Sequence, residues 1–444
     1  MKRREMLSKL ALLSTPLISV TKTGWALETN ITGTRQREFG AEKDWFLKKR
    51  FGMFVHWGLY AIPAWHEQYQ WRAGVSRAEY SKLIHEFNPQ KFSADKWLDL
   101  LQDAGMEYLT FTTKHHDGFC MWDTAQTDFN IMRTPYKADI LRKLADACHA
   151  RKIPLCLYYS IADWHHRNYP NMGRHHELLK PEIGDQPDWQ KYMEFLKAQV
   201  KELCSNYGEI HGFWWDMNVP EYKDPSVNAM IRKLQPNIMI NNRGFDEGDF
   251  GTPERDYGPA QKEGKPFSRP TEACQSVGSL SWGYKKDEEY FSDKYLMNSI
   301  DRYLSLGANY LLNIGPDAEG QMPEKSSAIL RRIGKWYSSI KESYTDVALS
   351  SLIRDKSVSL TRRKNTLYIH FNSGLNKDGF SLKPINKLPV NAVLLNNGKP
   401  VTCVLTNIPG DYPDKTPYLR LHDLPVNELS DTMLVVKLEF DSAI

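Results

Sequence analysis

The sequence predicts an α/β fold, a TIM-like (β/α)8 barrel followed by a carboxyl-terminal β-sandwich. Three observations carry this expectation. Between residues 45 and 340 short β-like runs alternate with helical ones, the signature of a parallel α/β sheet or barrel. Nearly every β-like run there ends in polar or aromatic residues (His56-Trp57, His115-His116-Asp117, Tyr159-Ser160, Asp216, Asn242-Arg243), which is how the chemically active face of a barrel looks in one dimension. From about Thr345 the texture changes to short alternating runs broken by turn signals. The expected organisation is a signal peptide over 1–26, the barrel over 27–344 and the sandwich over 345–444.

Each element has its own warrant. Lys2, Arg3 and Arg4 precede an apolar run over 10–20, with a small-residue exit near Gly24-Trp25-Ala26. That run is too short to cross a bilayer and reads as a signal peptide, and the Arg3-Arg4 pair also allows a twin-arginine route. The expectation is an exported chain, periplasmic or extracellular, with no membrane span. Strands are expected at 52–56, 108–112, 154–159, 212–216, 238–241 and 309–313, each a short apolar run suited to a strand covered on both faces. Helices are expected over 94–104, 139–151, 189–207 and 293–306, where apolar residues recur at spacings of three and four; Ser93 and Asp139 are start signals, Gly105 and Gly307 stops. The stretch 246–270, rich in Gly, Pro and charge, reads as a long functional loop. Beyond it, 365–371, 392–395 and 432–438 read as strands, with a turn at Asn397-Gly398.

Composition narrows the function. With 444 residues, 41% hydrophobic and 25% charged, the chain is neither disordered, collagenous nor a coiled-coil rod. The net charge of +4 falls to near neutral once 1–26 is removed, leaving no electrostatic footprint for nucleic acid. Aromatics reach 12%, which suits stacking on sugar rings and large core layers equally well. The six cysteines form no CxxC pair and sit mostly in apolar runs, so they read as small buried hydrophobes, with no disulfide assigned.

Asp216 closes Gly212-Phe213-Trp214-Trp215-Asp216 and puts a carboxylate at the barrel mouth beside the indoles, where it can attack an electron-poor carbon; a cap or ion-pair partner is the plainer alternative. Glycoside hydrolysis needs a second carboxyl group. Glu254, in Thr252-Pro253-Glu254-Arg255, and Glu272, in Thr271-Glu272-Ala273-Cys274, are the candidates, each equally readable as a surface glutamate. His56-Trp57 and His115-His116 offer imidazoles for sugar hydroxyls. Adjacent strand residues point to opposite sides, which disfavours His115-His116 as a metal pair, and no metal or cofactor is expected. Arg243 could hold a carboxylate, touch substrate or make a structural ion pair. His165-His166 and His175-His176 read as solvated or rim residues.

These motifs converge. Phe51-Gly52-Met53-Phe54-Val55-His56-Trp57-Gly58, Lys114-His115-His116-Asp117-Gly118-Phe119, Tyr158-Tyr159-Ser160, Ser281-Trp282-Gly283-Tyr284 and the run at 309–316 together resemble the family 29 glycoside hydrolases, the α-L-fucosidases, in order over roughly 40–340. The resemblance implies a catalytic barrel with a carboxyl-terminal β-sandwich and a retaining double displacement without metal, acting on terminal α-L-fucose of an oligosaccharide or glycoconjugate. Asp216 matches the family's nucleophile. His56, His115, His116, Tyr159, Arg243 and Trp282 match pocket positions, joined by Trp57, Trp214 and the carboxylate of Glu67. Both Glu254 and Glu272 match acid/base positions, and Glu254 is favoured.

The sequence also departs from the family pattern: Met217-Asn218 follow Asp216 where many members have Gly, Asn242 replaces Asp before Arg243, and Thr271 replaces Trp before Glu272. The rival expectations are an exo-glycosidase for a fucose-like sugar such as an α-L-galactoside, a non-catalytic carbohydrate-binding barrel, and a metal-dependent hydrolase.

Overall fold

Seven parallel strands build the first layer: β1 (Phe51–Val55), β2 (Leu109–Lys114), β3 (Leu155–Ser160), β4 (Gly212–Asp216), β5 (Met239–Ile240), β6 (Glu272–Ser276) and β7 (Asn309–Ile314), in spatial order β5-β4-β3-β2-β1-β7-β6. The computed structural model describes residues 39–40, 42–218, 221–255, 266–352, 355, 357–372, 374–407, 416–442 and 444. The expected signal peptide lies outside the described residues, as does 256–265 of the expected loop.

The edges of this sheet do not stay open. Residues 249–255 run parallel between β5 and β6, with single bridges from Asn241 to Phe250, Gly251 to Thr271 and Glu254 to Cys274. This segment occupies the eighth strand position of a TIM-like barrel. The expectation of a long loop from 246 is corrected here: the start of that stretch joins the barrel wall and carries Glu254 with it.

Strand parity separates two cores. Side chains pointing inward, including Phe54, Tyr108, Tyr158, Trp214, Cys274 and Leu311, form one cluster, while their neighbours Met53, Val55, Tyr159, Phe213 and Trp215 face the helices in another. Gly52 has a structural reason: a Cβ there would lie 2.4 Å from the Tyr108 ring, which fills the barrel floor.

The covering helices are Ala94–Asp103, Ile140–Arg151, Trp189–Asn206, Pro225–Leu234, Asp293–Ser305 and Glu324–Ile340. Ser93 and Asp139 cap their helices by accepting from Lys96 N and Arg142 N. Gly105 and Gly307 follow helix ends in the left-handed region, with φ of 72° and 91°. No helix among the described residues is long and apolar enough to cross a membrane. The six cysteines are free thiols.

The carboxyl-terminal part forms a six-stranded antiparallel sheet around Thr366–His370 and Val435–Glu439, and a three-stranded sheet around Tyr418–His422, with a shared apolar core. It packs on the barrel through specific bonds. Trp336 Nε1 donates to Met433 O at 3.0 Å, and the buried His370 Nδ1 lies 2.7 Å from Asp301 Oδ1.

Candidate active site

The carboxyl ends of the strands open into one cavity of about 430 Å³. Asp216, the last residue of β4, stands at its base. Tyr158 OH donates to Asp216 Oδ2 at 2.8 Å and Arg243 Nη1 donates to Oδ1 at 3.1 Å. Burial works against the Asp216 charge, but the Arg243 guanidinium, His116 and the Tyr158 hydroxyl outweigh it and hold the carboxyl below its ordinary value.

Arg243 is itself fixed. Its Nε donates to Thr252 Oγ1 and its Nη2 to Thr252 O, both at 2.8 Å, and the guanidinium lies 4.7 Å from the Trp214 ring centre. The remaining donors reach Glu254 Oε2, at 3.2 Å from each of Nη1 and Nη2. One guanidinium therefore bridges Asp216 and Glu254. The closure segment 249–255 delivers both Thr252 and Glu254 to this point.

The histidines are locked as neutral acceptors. Asn313 Nδ2 donates to Ser276 Oγ at 3.0 Å and to Trp282 O at 2.6 Å, so its Oδ1, 2.7 Å from His56 Nδ1, must accept. His56 Nε2 is left as a bare acceptor, and burial pushes the ring down to about 4. Likewise Ser160 Oγ donates to Ala162 O at 2.8 Å and accepts from His116 Nδ1 at 2.7 Å. His116 Nε2 then lies 4.0 Å from Asp216 Oδ2, too far for a hydrogen bond, and burial pushes this ring down to about 3. A sugar hydroxyl can donate to either ring nitrogen. His115 lies beside them, its ring centre 3.9 Å from that of His116, so the adjacent pair expected on opposite sides of its strand instead lines one cavity, both residues falling past the strand's end at Lys114.

Glu67 is buried and accepts from Ser281 Oγ at 2.7 Å and Trp282 N at 2.9 Å. Burial opposes its charge, and His66 with the Ser281 hydroxyl outweighs it, holding the carboxyl below its ordinary value. Trp282 closes one wall, its ring centre 5.3 Å from that of His56. Among the described residues no group of three or more His, Cys, Asp or Glu side chains is arranged to hold a metal ion.

The structure brings together His56, Glu67, His115, His116, Trp214, Asp216, Arg243, Glu254 and Trp282. Three expectations are corrected. Tyr159 has the wrong parity: its hydroxyl donates to Gln199 Oε1 at 2.7 Å in the helix-facing layer, and Tyr158 holds the pocket position. Trp57 turns outward as well, its Nε1 donating to Asp317 O at 2.8 Å. Glu272 points inward but begins β6, at the opposite end of the barrel, where it accepts from Tyr108 OH at 2.6 Å and Trp214 Nε1 at 2.9 Å beneath the pocket. Burial pushes its carboxyl up to about 7. His175 and His176 sit on the pocket wall, whereas His165 stacks on Phe129 and His166 on Phe195.

Sequence reasoning passed over Tyr158, Asn313 and Arg255. A signal for Tyr158 existed: it pairs in register with Trp214, two residues before Asp216 on a strand whose alternate residues share a face. Met217 adopts φ 59°, a left-handed conformation that explains why glycine suits the position after Asp216, and its Sδ lies 3.3 Å from His176 Nδ1.

Comparison with known proteins agrees with this architecture. The family model described as alpha-L-fucosidase matches residues 25–342. Tissue alpha-L-fucosidase of Homo sapiens is 27% identical over 86% of this chain and 85% of its own length. Among solved structures, alpha-L-fucosidase isoenzyme 1 from Paenibacillus thiaminolyticus superposes with a TM-score of 0.80 at 32% identity, covering 90% of this chain and 99% of its own. An α-L-fucosidase from Bacteroides thetaiotaomicron, captured as a trapped covalent intermediate with 2-fluoro-fucosyl fluoride, gives a TM-score of 0.77 at 26% identity over 91% of this chain and 97% of its own. The chain therefore belongs to the α-L-fucosidases of glycoside hydrolase family 29.

Proposed function

We propose that this enzyme is a retaining exo-α-L-fucosidase working by double displacement, with Asp216 as nucleophile and Glu254 as acid/base. The observation that carries the reading is the shared guanidinium. Two carboxylate oxygens bound to one Arg243 nitrogen lie within two hydrogen-bond lengths, on the order of 6 Å, of each other. Retaining enzymes hold their carboxyl groups about 5 to 5.5 Å apart and inverting ones about 6.5 to 9.5 Å.

In the first step Asp216 Oδ forms a bond to the anomeric carbon while the bond to the leaving oxygen breaks and that oxygen takes the Glu254 proton. In the second, the Glu254 carboxylate takes a proton from water, whose oxygen displaces Asp216. Arg243 links the steps. Once Asp216 is esterified its charge is gone, and the guanidinium is left to stabilise the Glu254 carboxylate, the form the second step needs as a base. Neutral His56 and His116 accept from fucose hydroxyls, and Trp282 offers an apolar face to the C5 methyl. The trapped covalent species of the Bacteroides thetaiotaomicron relative supports the same two-step course here.

The test is hydrolysis of 4-nitrophenyl α-L-fucoside by wild type and by Asp216→Ala, Glu254→Ala and Glu272→Ala, with azide as a rescuing nucleophile and NMR of the first-formed anomer. Loss of turnover in Asp216→Ala, azide rescue of Glu254→Ala and not of Glu272→Ala, and an α-anomer product from wild type are expected. Near-wild-type turnover by Asp216→Ala would overturn the assignment. Export of the chain is likewise a proposal, resting on 1–26 and tested by amino-terminal sequencing of protein recovered outside the cytoplasm.

A further inference from the structure

In the inner part of the pocket the one positive charge, on Arg243, is shared by two carboxylates, Asp216 and Glu254. The outer part differs. Arg72 and Arg255 both line the cavity, and neither has a carboxylate partner among the described residues. Arg72 is exposed and donates through Nε to Gln68 Oε1 at 2.8 Å. Arg255 donates through Nη1 to Ser279 O at 2.9 Å, and its guanidinium lies 4.7 Å from the Trp282 ring centre. Several other barrel arginines are paired, as Arg77 with Asp185, Arg174 with Glu177 and Arg232 with Asp249, while Arg50 and Arg269 donate to backbone carbonyls.

Two observations place these cations. Glu254, the more exposed of the two carboxylates on Arg243 at 40% against 15% for Asp216, lines the outer part of the cavity, and its chain neighbour Arg255 lines the cavity with it. Arg72, Arg255 and Lys285 all oppose protonation of His66, which lines the same wall, so the three positive charges converge on one region. Acidic groups nearby are already engaged: Glu67 by Ser281 and Trp282, and Glu288 by Leu280 N and Ser281 N.

We propose that the leaving-group side of the pocket receives a negatively charged sugar, the unit bearing fucose carrying a carboxylate or sulfate that Arg72 and Arg255 hold. This rests on the fucosidase reading of the site. Guanidinium groups match the multidentate oxygen acceptors of both anions, and donors not used on Gln68 or Ser279 can pair with a charged ligand.

The experiment compares kcat/KM for two matched pairs of synthetic α-L-fucosyl disaccharides of one linkage: fucosyl-glucose against fucosyl-glucuronic acid, and fucosyl-N-acetylglucosamine against its 6-O-sulfate. The charged member of at least one pair is expected to be favoured about tenfold at low salt. That preference should shrink toward unity near 0.5 M salt, where the Debye length is roughly 4 Å. Arg72→Gln and Arg255→Gln should each lower the charged-to-neutral ratio severalfold, with circular dichroism and urea unfolding reporting that each variant is folded. The pair that responds distinguishes carboxylate from sulfate. A ratio at or below one in both pairs, or one that neither substitution nor salt changes, overturns the proposal while leaving the fucosidase intact. Absence of turnover on the aryl fucoside by wild type would sink both.

Discussion

Tyr158 and Tyr159 are adjacent in β3, yet the first donates to Asp216 Oδ2 at 2.8 Å and the second to Gln199 Oε1 at 2.7 Å on the other side of the sheet. The two hydroxyls can therefore be separated by experiment. Tyr158→Phe removes a hydrogen bond to an ionised carboxylate, worth about 1.5 to 3 kcal/mol, and kcat/KM on 4-nitrophenyl α-L-fucoside is expected to fall roughly 10- to 100-fold with little change in unfolding midpoint. Tyr159→Phe leaves a buried amide oxygen short of a donor. It should cost about 1 to 3 kcal/mol in urea unfolding while leaving turnover within about twofold. The reverse pattern would exchange their places in the barrel.

The same pair shows what could be read in advance. Strands of a doubly covered sheet are apolar on both faces, so β1 to β4 and β7 stand out as runs, and the helix starts at Ser93 and Asp139 are local capping chemistry. Residues at strand ends point to the pocket as a group, which is why Asp216, His56 and His116 were legible. Phase was harder. With aromatics at both 158 and 159, hydrophobicity alone leaves inward and outward undecided until the register with Trp214 is known. Height was harder still, because Glu272 has the right parity and the wrong end of its strand. The closure segment at 249–255 was hidden because isolated bridges, not an apolar run, hold it in the wall.

Glu272 and Glu254 make a discriminating pair of isosteric substitutions. Glu254→Gln cannot donate a proton to the leaving oxygen and should lower kcat on unactivated fucosides by about 10²- to 10⁴-fold. Glu272→Gln should stay within about threefold of wild type, since its amide can accept from Trp214 Nε1 and donate to the Tyr108 phenol oxygen Oη. Stability supplies a second readout. Burial raises the Glu272 carboxyl from 4.5 to about 7, so the folded chain binds this proton more tightly than the unfolded chain. Its contribution is fully present below about 4.5 and is lost as pH rises through about 7, a loss on the order of 3 kcal/mol. Urea unfolding at pH 5 and pH 8 should show the wild type losing stability across that window relative to Glu272→Gln. Equal pH dependence in the two proteins would contradict the buried, protonated carboxyl.

Met217 tests the backbone beside the nucleophile. A non-glycine residue at φ 59° carries about 1 to 2 kcal/mol of strain, which glycine avoids at the cost of a more flexible unfolded chain. Met217→Gly should therefore change stability by no more than about 1 kcal/mol. Met217→Val puts a β-branched side chain into the same conformation and is expected to destabilise by about 2 kcal/mol. Thermal unfolding of the two variants gives the sign directly, and a valine variant as stable as the glycine one would mean that the chain after β4 can abandon the left-handed turn.

The barrel and the carboxyl-terminal sheets meet at a fully buried acid. Asp301 Oδ1 accepts from Tyr344 OH and lies 2.7 Å from His370 Nδ1, while His370 Nε2 lies 3.0 Å from Thr361 Oγ1. Asp301 belongs to the barrel helix Asp293–Ser305 and His370 to the sheet strand Thr366–His370, so one contact joins the two parts. Removing one partner strands the other polar group in a fully buried site. Asp301→Ala should cost about 3 to 5 kcal/mol, and His370→Ala a similar amount. Because the pair is coupled, the double variant should cost clearly less than the sum of the singles, an interaction energy a double-mutant cycle in urea resolves. Strict additivity would mean that Asp301 and His370 do not act as a coupled pair. Neither Asp301 nor His370 lines the pocket, so residual folded protein should keep its turnover number on the aryl fucoside while its unfolding midpoint falls.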